Sequence, residues 1–214
     1  MFKTALSEIL GTFIIVFIGT ASIVINDTSG GAVTHLGICI AWGLAVFLAI
    51  FFCEKIAEGH FNPGVSTVLA FTNGTTVPKY ILRIFSQVFG ALLASFALSL
   101  IFPAHPSLGG TLPKLDLWAV FLIEVTISFA LMTTVFFVQS KGDILSIFNV
   151  ALIIGTYVFV AAYITGPYTG ASMNPARTLG PAIVSGYAPS VWLYMITAPI
   201  GMFLAVPMKR VFVK

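Results

Sequence analysis

The chain has 214 residues, of which 58% are hydrophobic and only 8% are charged, and its mean hydropathy is +1.06. Because soluble domains carry about a quarter charged residues, this composition excludes an ordinary soluble protein and predicts several membrane spans. The net charge of +3 comes from cations scattered along the chain, which excludes a nucleic-acid-binding surface. The histidines, cysteines and carboxylates lack the spacing of a metal site or an activated nucleophile, so we expect no enzyme, no metal and no cofactor.

The first predicted element is a spanning helix over residues 9–25, an apolar run that follows Lys3 and Glu8. The run is long for a signal-peptide core and lacks a small-residue cleavage site at its end. Glu8 is therefore a charge at or inside the membrane, and two interpretations are open. Either its carboxylate lies near the lipid headgroups, or it is a buried acceptor that holds backbone N–H groups of a neighbouring broken helix.

The second predicted element is a spanning helix over residues 35–53, with Trp42 about two turns inside it. A tryptophan usually anchors a helix at the membrane interface, but this depth leaves packing or pore lining equally open.

Asn62-Pro63 stands between a polar segment and a short apolar stretch. Asn is a preferred N-cap and Pro a preferred first helical residue, so a helix is expected to begin here. The apolar residues that follow are too few to span the bilayer and too apolar for water. They predict a half-helix that enters the membrane from one face.

Apolar runs over residues 79–101, 117–138, 144–164 and 191–206 predict four more spanning helices. A second pair, Asn174-Pro175 with Ala176 after it, lies between the last two, preceded by a glycine-containing segment from Gly166 that need not be helical. This pair predicts a second half-helix. Arg177 is then either a donor and fixed positive charge at a constriction, or a side chain that extends to the outer interface.

The two halves of the chain repeat one pattern: a span with an early glutamate, two further spans and an Asn-Pro half-helix. The chain is therefore predicted as one channel domain, 1–214, with repeats over about 1–101 and 117–208. An odd number of full spans in each half makes the repeats inverted. Cation counting places both termini in the cytoplasm, and we expect residence in the plasma (inner) membrane. The cations assigned to that side are Lys3, Lys55, Lys79, Arg83, Lys141, Lys209, Arg210 and Lys214.

Half-helices that enter from opposite faces meet at their N-termini, where free N–H groups and positive dipole ends face the lumen. The side chains of Asn62 and Asn174 then offer N–H donors to neutral molecules, while cations are repelled. Glu8 and Glu124 occupy equivalent positions in the two halves, which favours a supporting function. Backbone carbonyls are expected to line the path at Gly59, His60, Phe61, Gly170, Ala171, Ser172 and Met173.

Three segments resemble the aquaporin, or major intrinsic protein, family: Gly59-His60-Phe61-Asn62-Pro63-Gly64-Val65, Ser172-Met173-Asn174-Pro175-Ala176-Arg177 and Glu8-Ile9-Leu10-Gly11-Thr12. The resemblance covers essentially the whole chain, and the nodulin-26-like branch is the most similar. It implies an all-α membrane protein with six transmembrane helices plus two re-entrant half-helices in an inverted repeat. It also implies a homotetramer with one pore in each protomer and the two asparagines at the pore centre.

The resemblance further implies a selectivity filter at Trp42, Ala162, Ala171 and Arg177, which match the family's filter positions by spacing. Strict water channels of the family carry a histidine where this chain has Ala162, so the two alanines imply a wider opening. Such an opening suits glycerol, urea or undissociated metalloid hydroxides such as arsenite and borate. The chain nevertheless lacks the aspartate and second arginine that glycerol facilitators carry after Arg177.

Two positions depart from the family pattern. Gly64 replaces an alanine, which either loosens the contact between the half-helices harmlessly or alters conductance. Glu58 stands where the family has small or neutral residues, and it either gates the cytoplasmic vestibule or caps it.

We therefore expect a passive channel for water and small uncharged polar solutes in a lipid bilayer. The alternatives are a strictly water-selective channel, an ion-coupled secondary transporter and a non-conducting structural membrane protein.

Overall fold

The computed structural model describes residues 1–212, so Lys214, one of the predicted cytoplasmic cations, lies outside the described part. Those residues form helices and turns without any strand. In chain order the helices are α1 (Phe2–Thr28), α2 (Thr34–Cys53), α3 (Pro63–Asn73), α4 (Val77–Ile101), α5 (Leu117–Ser140), α6 (Ile147–Thr169), α7 (Pro175–Ser185), α8 (Val191–Leu204) and α9 (Val206–Phe212). By length and composition α1, α2, α4, α5, α6 and the pair α8–α9 can cross a membrane, which confirms the predicted fold class.

The two short helices α3 and α7 begin at the two Asn-Pro pairs, and the same local rule produces both. Asn62 Oδ1 accepts the N–H of Gly64 at 2.9 Å, and Asn174 Oδ1 accepts the N–H of Ala176 at 3.0 Å. A proline follows each cap, and a glycine in the left-handed conformation ends each helix. Each helix has 11 residues, which at about 1.5 Å per residue is roughly half of the bilayer core.

The spanning helices pack in pairs, α1 against α4, α2 against α6 and α5 against α8. The backbones of α2 and α6 approach each other closely where each helix has a glycine. A Cβ atom on Gly43 would lie 2.8 Å from the carbonyl oxygen of Gly155, and one on Gly155 would lie 2.7 Å from that of Gly43. Neither position has room for a side chain. Because lipid gives little hydrophobic drive for helices to associate, such close backbone packing contributes much of the stability of this bundle.

The helix α6 differs from its prediction because it continues to Thr169 rather than ending near residue 164. The segment from Gly166 is therefore partly helical, with Pro167 inside the last turn. Proline cannot donate to the carbonyl four residues earlier, which here belongs to Tyr163. That carbonyl instead accepts a hydrogen bond from His35 Nε2 at 2.9 Å, which replaces the backbone hydrogen bond that Pro167 cannot make.

The two ends of the chain also differ from the predictions. The helix α1 begins at Phe2 rather than at residue 9, so Glu8 is helical. At the other end the last span does not stop at residue 206, because α9 extends it to Phe212 after a break at Ala205. Pro207 has no N–H for the preceding turn, which explains the break. Lys209 on α9 donates to the carbonyl of Thr72 at 3.1 Å, at the end of α3.

Candidate functional site

A cavity of about 690 Å³ extends along the bundle, from Asp27 and Lys114 at one end to Glu58 and Gln139 at the other. Its walls include both asparagines of the Asn-Pro pairs and the four predicted filter residues. They also include the segments predicted to supply carbonyls, which are Gly59, His60, Phe61, Gly170, Ala171, Ser172 and Met173. The lining does not include Pro63, Gly64, Pro175 and Ala176, which instead form the first turns of the half-helices.

A reciprocal pair of hydrogen bonds joins the two half-helices where they meet. Asn62 Nδ2 donates to the carbonyl of Met173 at 2.8 Å, and Asn174 Nδ2 donates to the carbonyl of Phe61 at 2.9 Å. Each asparagine therefore caps its own half-helix through oxygen and binds the opposite half through nitrogen. An amide nitrogen carries two hydrogens, so each asparagine retains one N–H for a molecule in the cavity.

The carbonyls that accept these bonds belong to residues with an unusual backbone conformation. Phe61 has a φ of 54° and Met173 a φ of 52°, in the left-handed region that residues with a side chain rarely adopt. Ala171 has a φ of 43°. Each such residue costs on the order of 1–3 kcal/mol, so other contacts have to stabilise these segments.

Glu8 stabilises the segment of the first half. Its side chain is completely buried, and its carboxylate accepts the N–H of His60 at 3.0 Å and that of Phe61 at 2.7 Å. Arg83 and Gln87, one turn apart on α4, donate to the same carboxylate. The structure thus places Glu8 as a buried acceptor and not near the headgroups.

Glu124 has the equivalent contacts in the second half, with different partners. Its carboxylate accepts the N–H of Ser172 at 2.9 Å and that of Met173 at 3.1 Å, together with the hydroxyl of Thr169 at 2.7 Å. Unlike Glu8, it has no cationic side chain within ion-pair distance among residues 1–212. The two repeats therefore share the acceptor but differ in how its charge is compensated.

The four predicted filter residues line one cavity, and two of them are in contact. The guanidinium carbon of Arg177 lies 4.5 Å from the centre of the Trp42 ring, a cation–π distance. The indole packs against Gly19 of α1, where a Cβ atom would overlap the ring. Ala162 and Ala171, both buried, line the same cavity. Trp42 is therefore packed inside the bundle and is not an interface anchor.

Arg177 is buried and only partly satisfied by protein groups. It is 2% exposed, and its Nη1 donates to the carbonyl of Gly109 at 3.1 Å. In the described part of the chain, Nε and Nη2 have no hydrogen-bond partner. Buried donors are costly when unpaired, so these two nitrogens are an energetic cost of holding a positive charge in the wall of the cavity. The side chain does not extend to the outer interface.

Glu58 lies at the opposite end of the cavity among several charged groups. Its carboxylate accepts a hydrogen bond from Arg83 Nη2 at 2.9 Å and lies 3.8 Å from His60 Nε2 and 4.0 Å from Lys79 Nζ. The neighbouring His60 lowers the pKa of Glu58 to about 2, aided by Arg83 and Lys79 and opposed by burial. Glu58 is therefore ionised at physiological pH. Burial raises the pKa of Glu54, the neighbouring carboxyl group.

The space beside Gly64 is filled rather than open. A Cβ atom on this glycine would lie 2.7 Å from the sulfur of Met202 on α8 and 3.3 Å from Asn62 Oδ1. The sulfur occupies the volume that an alanine methyl group would need. The volume beside the glycine is therefore filled by α8, and its effect on conductance stays a prediction.

The residues that contact the site but are absent from the sequence predictions of site residues include Arg83, Gln87, Thr169, Gly19, Gly109 and Met202. For Arg83 a signal exists, because it and Gln87 lie one turn apart and form a polar face on an apolar helix. For the two glycines and the methionine no local pattern identifies the partner. Residues 1–212 contain no group of three or more metal-ligating side chains.

Comparisons with known proteins agree on one family. The Major intrinsic protein family model matches residues 1–208. Nodulin-26 of Glycine max is 35% identical over 199 residues, which cover 91% of this chain and 72% of the relative. Aquaporin NIP1-2 of Oryza sativa subsp. japonica is 39% identical over 207 residues, which cover 92% of this chain and 66% of the relative. The solved structure of the aquaglyceroporin from Plasmodium falciparum has a TM-score of 0.84 over 99% of this chain and 95% of that one, at 22% identity, and supports the fold.

Proposed function

The chain belongs to the major intrinsic protein family, a family of membrane channels, and from this premise we propose that it conducts water and small uncharged polar solutes passively while excluding ions and protons. The solute expected first is glycerol. Urea and metalloid hydroxides such as arsenite and borate in their undissociated forms are further candidates.

The observation that carries this proposal is the combination of Trp42, Ala162, Ala171 and Arg177 on one cavity. Trp42 offers an apolar face, and the two alanines leave volume beside it. Glycerol has carbon atoms on one side and hydroxyl groups on the other. It would place its carbons against the indole and its oxygens toward the positive charge of Arg177, which lines the same cavity. Such a fit favours a solute larger than water.

The proposed exclusion of ions rests on positive charge along the path. The N-termini of α3 and α7 each carry about half a positive charge, and Arg177 adds a full one. A cation would lose hydration and meet this potential. A water molecule that accepts from both Asn62 and Asn174 has both lone pairs engaged. It cannot accept a proton from the next water, so proton transfer along the column would stop there.

The alternatives fit the site less well. A strictly water-selective channel is disfavoured by the small side chains at Ala162 and Ala171. An ion-coupled transporter needs a titratable group beside its substrate at mid-depth. Glu8 and Glu124 are the candidates, yet each carboxylate is already engaged by backbone N–H groups. A non-conducting structural protein does not need a cavity lined by such groups.

We further propose a homotetramer in the plasma (inner) membrane, with both termini in the cytoplasm and one channel domain in each protomer. Large apolar side chains on the outer face of α4, including Phe85, Phe89 and Phe96, are exposed and suit lipid or a neighbouring protomer. Lys79 and Lys209 lie near the end of α3, and a cytoplasmic position for both follows the distribution of cations in membrane proteins.

Stopped-flow light scattering on proteoliposomes tests the proposed transport. Vesicles that contain the purified protein are mixed with gradients of an impermeant osmolyte, glycerol, urea, arsenous acid or boric acid, and empty vesicles are the control. We expect faster movement of water and glycerol than in empty vesicles, with no dependence on a pH gradient. Water flux without solute flux would support the strictly water-selective alternative. Saturating flux that follows an imposed pH gradient would support a carrier, and no flux would support a structural protein.

Arg177→Ala tests the proposed exclusion of ions. The substitution removes a fixed charge and the unfilled donors, so we expect a leak of protons or cations, detected with a pH-sensitive dye inside the vesicles. Lys114→Ala is the matched control, because it removes one positive charge from the end of the same cavity. Equal leaks in both variants would contradict a specific function for Arg177.

A further inference from the structure

We propose that His105, in the loop between α4 and α5, is a positioning residue for Arg177 and so tunes solute selectivity without contacting the solute. The inference rests on the proposed function, because it takes Arg177 as the donor of the filter. The physical connection between the two side chains is the carbonyl of Gly109.

The direction of the Arg177 guanidinium depends on Gly109. Nη1 donates to the Gly109 carbonyl, and among the described residues neither Nε nor Nη2 has a partner. The guanidinium also lies over the face of Trp42, a contact that constrains its distance from the ring more than its rotation. A shift of the Gly109 carbonyl would therefore move the guanidinium of Arg177 in the wall of the cavity.

The turn that presents this carbonyl has a conformation that needs support. Leu108 has a φ of 47° and Gly109 a φ of 69°, two consecutive residues in the left-handed region. A leucine rarely adopts that region. A Cβ atom on Gly109 would lie 2.8 Å from the carbonyl oxygen of Thr20, so the turn is also pressed against α1. Loss of support would move the turn outward, away from α1 and from Arg177.

His105 provides the support. Its Nδ1 accepts the N–H of Leu108 at 2.9 Å and that of Ser107 at 3.4 Å. The imidazole is 6% exposed, so water does not readily replace it as the acceptor. Because Nδ1 accepts, the ring proton is on Nε2, which lies 3.4 Å from Asp27 Oδ2. The Asp27 side chain is half exposed and this contact contributes little, so the positioning is assigned to Nδ1.

Substitutions of His105 by asparagine and by glutamine distinguish the contributions of its two ring nitrogens, because the two amide groups reach different positions. In His105→Asn the side-chain oxygen can take the place of Nδ1 and accept the Leu108 N–H. In His105→Gln the amide reaches the place of Nε2 and leaves that N–H unpaired. Asp27→Asn is the matched control for the contact at Nε2.

Amide hydrogen exchange of the purified full chain measures how well the hydrogen bond of the Leu108 N–H protects the turn from opening. We expect exchange at Leu108 to rise about five- to tenfold in His105→Gln, because one lost hydrogen bond corresponds to roughly that factor. His105→Asn and Asp27→Asn should stay near the wild type. Wild-type exchange in the glutamine variant, or equal increases in both His105 variants, would overturn the assignment to Nδ1.

The NMR signal of Arg177 Nε and the ratio of glycerol to water permeability measure the effect on the filter. We expect both to change in His105→Gln and to be restored in His105→Asn. An unchanged Arg177 signal in the glutamine variant would overturn the positioning function even if exchange rises. Wild-type vesicles that pass no solute would refute the proposed function, while the Arg177 signal would still decide whether His105 positions the arginine.

Discussion

Arg83→Met is expected to destabilise the protein strongly, because it leaves the carboxylate of Glu8 without its counter-ion. Glu8 is 0% exposed and Arg83 is 2% exposed, so water cannot compensate the charge. Removal of one partner of a buried ion pair costs about 3–5 kcal/mol. The N–H groups of His60 and Phe61 and the amide of Gln87 still bind Glu8, which places the expected cost near the lower limit.

A thermal unfolding experiment in detergent measures this cost. For a chain of this length, about 3 kcal/mol corresponds to a fall of roughly 6–12 °C in melting temperature. We also expect lower water permeability in vesicles, because Glu8 holds the N–H of Phe61 and the carbonyl of Phe61 binds Asn174. A melting temperature within about 2 °C of the wild type, with unchanged permeability, would refute the dependence of Glu8 on Arg83.

Glu58→Gln is the matched control, because Glu58 binds the same guanidinium but its side chain is 56% exposed. Exposed ion pairs contribute about 0–1 kcal/mol, so the expected fall in melting temperature is at most roughly 4 °C. The double variant Glu8→Gln with Arg83→Met should regain part of the stability lost in Arg83→Met, since it has no uncompensated buried charge.

Three further results are expected. Ala162→His adds a large polar side chain to the filter wall, so glycerol flux into vesicles should fall more than water flux, and equal loss of both would contradict the filter assignment. Gly19→Ala puts a methyl group where the Trp42 ring lies; we expect about 1–3 kcal/mol lower stability and a changed glycerol-to-water ratio, and unchanged values would exclude that contact as a determinant. The lowered pKa of Glu58 means that its stabilising contacts are complete above its ordinary pKa of 4.5 and are lost only as the pH falls toward about 2. On acidification, the advantage in melting temperature of wild type over Glu58→Gln should therefore persist down to about pH 4.5 and disappear only toward about pH 2, and its loss above about pH 4.5 would contradict the lowered pKa.

The helices and their order could be predicted because their signals are local. Apolar length indicates each span, and an Asn-Pro pair between a polar and an apolar segment indicates each half-helix. Both signals depend on neighbouring residues alone, so they can be recognised without the structure. The structure confirms the predicted fold class, and the family match confirms the family assignment. The structure brings Asn62, Asn174 and Arg177 to one cavity, whereas their functions in permeation stay predictions.

The features that could not be predicted depend on residues far apart in the chain. The helix α6 is longer than expected because His35 binds the carbonyl that Pro167 leaves free. The space at Gly64 is closed by a sulfur atom from the last span. Arg83 resembles a cation at a helix end until its buried partner is known. No spacing rule connects such pairs, since the bundle packing alone brings them into contact.

The exchange of hydrogen bonds between the two Asn-Pro segments imposes an order on biosynthesis. The carbonyl of Met173 that Asn62 binds is made only after most of the chain has left the ribosome. At about 5–20 residues per second, the first half-helix waits on the order of ten seconds for that partner. The first repeat is thus synthesised without the partner of its Asn62 amide, and the N-terminus of its half-helix has to remain hydrated or shielded until the second repeat is made. The passage through the membrane is completed late, by both repeats together.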